Sequence, residues 1–167
     1  DVMFVIQRVL ESKGKLTLLD QNKVLTPNLY SRIFATSNTI GLGDTSGIYH
    51  GTQQINQGQL DRWNIITTLN YLKPEIEEKI VTKKVKNFSK KNKHIISSMV
   101  KLANLTRDGF KNSDISILMS PRTTINWAEN SHIFNDIDFA FLVSFLNKCE
   151  ETDKLIINEY YQRCFGR

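Results

Sequence analysis

Three polar side chains stand where packing alone would favour something else. Asn38 closes the apolar run Arg32-Ile-Phe-Ala-Thr-Ser-Asn38, Arg62 lies in Gln59-Leu-Asp-Arg62-Trp63, and Arg122 follows Ser120-Pro121. A neutral amide can orient a water or a phosphoryl oxygen without adding charge, and guanidinium forks match phosphate oxygens in pairs. The trio therefore suits positioning and charge neutralisation around a phosphate rather than acid–base work. Each residue also has a plainer use. Asn38 can form a turn at a strand end. Arg62 can pair with Asp61 or stack on Trp63. Arg122 can lie exposed with its stem on apolar surface. Arg122 is the most pointed of the three, because a cation in a first helical turn faces the positive end of the helix dipole. An anion at that helix start would compensate, and a helix N-terminus with an Arg makes a phosphate site.

Other chemistries lack their residues. No pair of carboxylates is spaced for acid–base catalysis, and His50, His94 and His132 share no metal-ligand spacing, so no metal site is expected. Cys149 and Cys164 are far apart, form no Cys-x-x-Cys, and are read as buried reduced thiols of a cytosolic protein. The chain has no Gly-x-x-x-x-Gly-Lys-Ser/Thr loop for wrapping nucleotide phosphates; Gly41-Leu-Gly-Asp-Thr-Ser-Gly47 has glycines and hydroxyls but no Lys. It is read as part of a long loop from Gly41 to Gly58.

The composition is that of an ordinary globular chain: 167 residues, 40% hydrophobic, enough for one domain or two small ones. The net charge of +5 raises the question of nucleic acid, and six lysines fall between Lys83 and Lys93. Lys83, Lys84 and Lys86 close a helix that opens with Glu75, Glu77 and Glu78, the charge order the dipole favours, and no aromatic residues interleave for base stacking. We therefore expect no nucleic-acid partner. The most apolar run, Phe139 to Leu146, is far short of the roughly 20 residues that cross a bilayer, so it reads as a core helix and no membrane partner is expected.

The elements that would carry these residues follow from period and punctuation. Residues 2 to 12 read as an amphipathic helix; Asp1 in place of Met, followed at once by this periodic stretch, suggests a chain that starts inside a domain. Lys15 to Leu19 and Lys23 to Leu25 form a hairpin around Asp20-Gln-Asn22. Strands are expected at Arg32 to Asn38 and at Ile65 to Leu69. Beyond Leu72 the period becomes helical. Pro74 opens a helix with Ile76, Ile80, Val81 and Val85 on one face. Ile95 to Ala103 mark a second helix, and Ser120-Pro121 caps and opens a third through Ile125 and Ala128. Asp136 caps the apolar helix and Thr152 a last one with Ile156, Ile157, Tyr160, Tyr161 and Cys164 inward. Residues 1–72 are thus read as α/β and 73–167 as an all-α bundle.

Strand-Asn38, Asp61-Arg62-Trp63 and Ser120-Pro121-Arg122, in this order, resemble the sensor 1, arginine finger and sensor 2 elements of the MoxR-like AAA+ ATPases. The stretch from Ala35 to Trp63, with Met119-Ser-Pro-Arg-Thr123, Trp127-Ala-Glu-Asn130 and Tyr160-Tyr-Gln-Arg-Cys-Phe-Gly166, is similar to the CobS-like ATPase subunits of aerobic cobaltochelatase. The resemblance is weakest over the Lys-rich region 74–94. It implies the C-terminal part of an AAA+ P-loop core (an incomplete parallel sheet) over 1–72 and a helical lid over 73–167. It also implies ATP and Mg²⁺ as cofactors, bound mainly upstream of Asp1. Asn38 and Arg62 would be catalytic, and Arg122 would contact the nucleotide. The family works in the cytoplasm as a homo-oligomeric ring with CobT-like and CobN-like subunits, inserting Co²⁺ into hydrogenobyrinic acid a,c-diamide for cobalamin biosynthesis. In its sheet order the strand of the phosphate loop separates the other two, so Ile33-Phe-Ala and Ile65-Ile-Thr should flank a gap. The chain alone should bind ATP poorly and hydrolyse none. Another MoxR-like remodelling ATPase and a noncatalytic truncated interaction module remain as alternatives.

Overall fold

The computed structural model describes residues 6–11, 13–43 and 54–166. The chain divides into two units, Asp1–Leu69 and Asn70–Arg167. Of the helix expected over 2–12, the described part runs into a short 3₁₀ turn, Arg8–Leu10; residues 1–5 and 12 lie outside the described residues.

In the first unit the expected hairpin forms. Strand β1 (Leu16–Leu18) pairs antiparallel with β2 (Lys23–Leu25), in the register Leu16 to Leu25, Thr17 to Val24 and Leu18 to Lys23. The turn between them is a 3₁₀ turn, Leu19–Gln21, closed by Asn22 at φ 48°, a left-handed position that Asn tolerates better than most residues. A short helix follows, α1 (Gln57–Leu60), whose capping Asn56 side chain accepts the Gly58 N–H at 2.8 Å.

The strands expected at 32–38 and 65–69 are not formed, and no parallel sheet is present among the described residues. Both segments run without regular structure, and their apolar side chains face outward: Phe34 is 90% exposed, Ile65 86% and Leu69 84%. The physical reason is that a strand is not a local structure. Its N–H and C=O groups must be taken up by a neighbour, and no described segment pairs with either stretch.

The second unit is all helix. It comprises α2 (Pro74–Lys84), α3 (Lys86–Ser89), α4 (Lys93–Lys111), α5 (Pro121–Phe134), α6 (Ile137–Ser144), a 3₁₀ turn (Leu146–Lys148) and α7 (Glu151–Phe165). Local signals set most of the boundaries. Pro74 stands in the first turn of α2, with Glu75 and Glu77 at its start and Lys83 and Lys84 at its end, complementing the dipole. Asp136 accepts the N–H groups of Asp138 and Phe139 at 2.9 Å each and so caps α6. The last helix starts earlier than expected. Glu150 is its N-cap, with no side-chain bond, and Thr152 lies inside the first turn, where its hydroxyl is not needed as a cap.

The core gathers Val81, Val85, Met99, Leu102, Trp127 and Phe145 among its most buried side chains. Trp127 is fully buried, donates its indole N–H to the Ile137 carbonyl at 3.0 Å, and stands 4.9 Å from the Phe141 ring. On α2 the buried face differs from the expected one. Glu77, Val81 and Val85 point inward at a spacing of one turn, whereas Ile76 is exposed. No helix among the described residues is long and apolar enough to cross a membrane.

Candidate functional site

Asn38 lies at a bend, exposed, at the end of the irregular apolar segment. Directly after it the chain is clipped back on itself, because the Ile55 N–H donates to the Gly41 carbonyl at 2.7 Å. Gly41 has φ 91°, a backbone angle that favours glycine, and an added Cβ there would crowd the Ile55 side chain at 3.1 Å. The clip closes the base of the glycine-rich loop, whose residues 44–53 lie outside the described residues. It thereby draws the Asn38 segment toward the strand of chain that leads through α1 to Arg62.

Arg62, just past α1, is held within its own unit. Its Nε and Nη2 donate to one oxygen of Glu11 at 3.4 and 3.2 Å, and Nη1 donates to the Gly58 carbonyl. Gln7, with its amide oxygen turned toward the guanidinium, accepts from both terminal nitrogens at 3.1 Å. Neither Asp61 nor Trp63 is the partner, as the sequence had suggested; the carboxylate comes from 51 positions earlier. The side chain keeps 30% of its surface open and Glu11 keeps 54%, so the pair is a solvated one. Such pairs contribute about 0–1 kcal/mol.

Arg122 is exposed in the first turn of α5, in the second unit. Ser120 is the N-cap, its hydroxyl accepting the Thr123 N–H at 3.3 Å, and Pro121 takes the first helical position as expected. The first turn carries no acidic residue, and among the described residues Arg122 makes no ion pair. Pro121 has no N–H and Ser120 takes that of Thr123, so what the helix start presents is chiefly the Arg122 guanidinium, with no acid in the first turn to offset it at the positive end of the dipole. Asn38 and Arg62 belong to the first unit and Arg122 to the second.

Behind that helix start sits a pair the sequence reading missed. Glu77, fully buried, faces Arg107, whose side chain is 2% exposed. The pairing is a parallel fork: Nη1 to Oε2 at 2.7 Å and Nη2 to Oε1 at 2.8 Å. Arg107 also donates through Nη1 to Asn104 at 3.1 Å and through Nε to the Met119 carbonyl at 2.9 Å, and its guanidinium lies 4.2 Å from the centroid of the Tyr71 ring. The signal was present in the spacing. Glu77 sits one turn before Val81 and two before Val85, and Arg107 one turn after Ala103, so both continue apolar stripes.

Of the two thiols, Cys149 is the more perturbed. Burial, followed by the nearby Asp153 carboxylate, pushes it up to about 11, and burial also raises Cys164. Neither is an activated nucleophile.

Neither a known protein-family profile nor a solved structure matches the chain. Among curated proteins, the aerobic cobaltochelatase subunit CobS of a Sinorhizobium species is 62% identical over 167 residues. This chain is similar to CobS. The match takes in 99% of the chain and 50% of the relative, so the chain spans about half the length of the curated protein it matches. The resemblance to CobS-like subunits drawn from the motifs around Asn38, Arg62 and Arg122 is thereby shown.

Proposed function

We propose that this chain supplies the second half of an AAA+ core (residues 1–72) and the helical lid (73–167) of the ATPase subunit of an aerobic cobaltochelatase. ATP turnover in a cytoplasmic homo-oligomeric ring, working with CobT-like and CobN-like subunits, would drive insertion of Co²⁺ into hydrogenobyrinic acid a,c-diamide. The observation that carries this reading is the 62% identity to CobS over nearly the whole chain. Two structural features support it. One is the free cationic helix start at Arg122. The other is the pair of outward-facing apolar segments around Phe34 and Ile65, which suit strands that pair with a segment upstream of Asp1.

In this assignment Arg122 holds a phosphate of ATP, Asn38 orients water or a phosphoryl oxygen, and Arg62 reaches the nucleotide of the adjacent subunit. Bound ATP and Mg²⁺ supply the phosphoryl group and its charge-neutralising metal, held mainly by upstream residues. Arg62 must first leave Glu11. That costs about 0–1 kcal/mol, whereas an arginine finger contributes 10³ to 10⁵ in rate, about 4–7 kcal/mol, so the ion pair is no obstacle to the role.

The test uses the full-length subunit with its partner subunits, reading ATP turnover and the corrin absorbance change on cobalt insertion. Arg62→Ala and Arg122→Ala should each lower turnover by at least tenfold, and insertion should fall with it. If both variants stay within twofold of the parent, the phosphate-facing assignment is wrong. Turnover that responds as expected in a system that never metallates the corrin would instead point to a different MoxR-like ATPase.

A further inference from the structure

We propose that Glu77 and Arg107 are positioning residues for Arg122: the buried fork fixes the backbone from which α5, and hence the phosphate-facing guanidinium, departs. The proposal rests on the reading of Arg122 given above. Both polar backbone groups of Met119 are held by side chains of α4. Its N–H donates to the Thr106 hydroxyl at 3.0 Å, and its carbonyl accepts from Arg107 Nε at 2.9 Å. Met119 is itself fully buried, three residues before Arg122. One residue on, the Ser120 carbonyl accepts from the Thr124 hydroxyl at 3.3 Å, and that hydroxyl lies 3.4 Å from Glu77 Oε1. Side chains from α4 and α5 therefore hold the two residues that lead into the helix, and Glu77 of α2 holds two of those side chains, Arg107 and Thr124.

A buried ion pair is a poor way to gain stability, since well-packed apolar residues of the same volume serve as well or better. What it offers is direction. Apolar contacts tolerate sliding, whereas a planar guanidinium with a carboxylate on one edge and a carbonyl on another has one orientation that satisfies all of them. Here the carbonyl on that edge is Met119's, so the orientation of the fork is passed to the start of α5. None of the buried side-chain polar atoms among the described residues lacks a partner, so the arrangement has no slack to absorb a change.

The experiment uses the full-length ATPase with three variants: Glu77→Leu with Arg107→Met, Arg122→Ala, and all three substitutions together. The apolar pair should still unfold cooperatively yet lower kcat/KM for ATP by about 10- to 100-fold, the scale expected when a positioned group is displaced by about an ångström. Added to Arg122→Ala, it should cause no further loss, because its effect passes through that side chain. An apolar pair within twofold of the parent, or one whose loss multiplies with that of Arg122→Ala, overturns the proposal while leaving the role of Arg122 intact. A neutral Arg122→Ala removes the reading beneath it, and the proposal with it. If the apolar pair does not fold, Arg107→Lys, which keeps a cation opposite Glu77 but removes the Nε donor to the Met119 carbonyl, carries the same test with the same two outcomes.

Discussion

Removing the Glu77 carboxylate alone should be among the most damaging single changes in the second unit. Glu77→Leu leaves the Arg107 guanidinium, 2% exposed, with no carboxylate within the fork it now fills. Uncompensated buried charges of this kind cost about 3–5 kcal/mol. The unit is Asn70–Arg167, 98 residues, for which the unfolding entropy is about 0.2 kcal/mol per kelvin, so the melting temperature should drop by about 15–25 °C. Adding Arg107→Met removes the stranded charge and refills the volume. The remaining deficit is chiefly the Met119 carbonyl, which loses its donor, at about 1–2 kcal/mol. The double variant should thus recover at least half of the loss, a coupling of about 2 kcal/mol or more. Trp127 is fully buried in this unit and Trp63 lies in the other, so guanidinium denaturation in a Trp63→Phe background reports on the second unit alone. A Glu77→Leu cost below about 1 kcal/mol, or a double variant as unstable as the single, would refute the reasoning from buried charge.

Other expectations rest on separate contacts. Asp136→Ala deletes both N-cap bonds of α6 and should cost about 1 kcal/mol, seen as a melting shift of about 4–8 °C, while Asp136→Asn should retain most of the stability. Glu11→Gln removes the anion from Arg62 at a solvated site and should change the urea midpoint by an amount equivalent to less than about 1 kcal/mol, an effect that fades in 1 M salt. With the Cys149 thiol raised to about 11 from an ordinary 9.0, roughly one molecule in a thousand carries its thiolate at pH 8, against about one in ten for an unperturbed thiol. Iodoacetamide should therefore label Cys149 about a hundredfold more slowly in the folded chain than in urea, with labelling accelerating as pH rises toward 11, as mass spectrometry of quenched samples can follow; equal rates folded and unfolded would contradict the burial effect.

Much of the second unit was legible before any coordinates. Ser120-Pro121 and Asp136 act within four residues of themselves, and the Glu-first, Lys-last order of α2 is written along one helix, so those boundaries follow from local hydrogen bonding and the dipole. The hairpin around Asp20 to Asn22 was legible for the same reason. The sequence also carried the resemblance to CobS in the motifs around Asn38, Arg62 and Arg122. What it could not decide were matters of pairing across long separations. The expected strands at 32–38 and 65–69 depend on neighbours, and among the described residues neither finds one. Arg62 took its carboxylate from 51 positions away rather than from adjacent Asp61, and Glu77 found Arg107 across 30, turning a residue read as a helix opener into part of the core. An isolated helix turn closes its own hydrogen bonds, so its sequence suffices to announce it. A strand edge or a buried charge has no preferred state until the rest of the chain brings its partner, and only the tertiary structure says which partner that is.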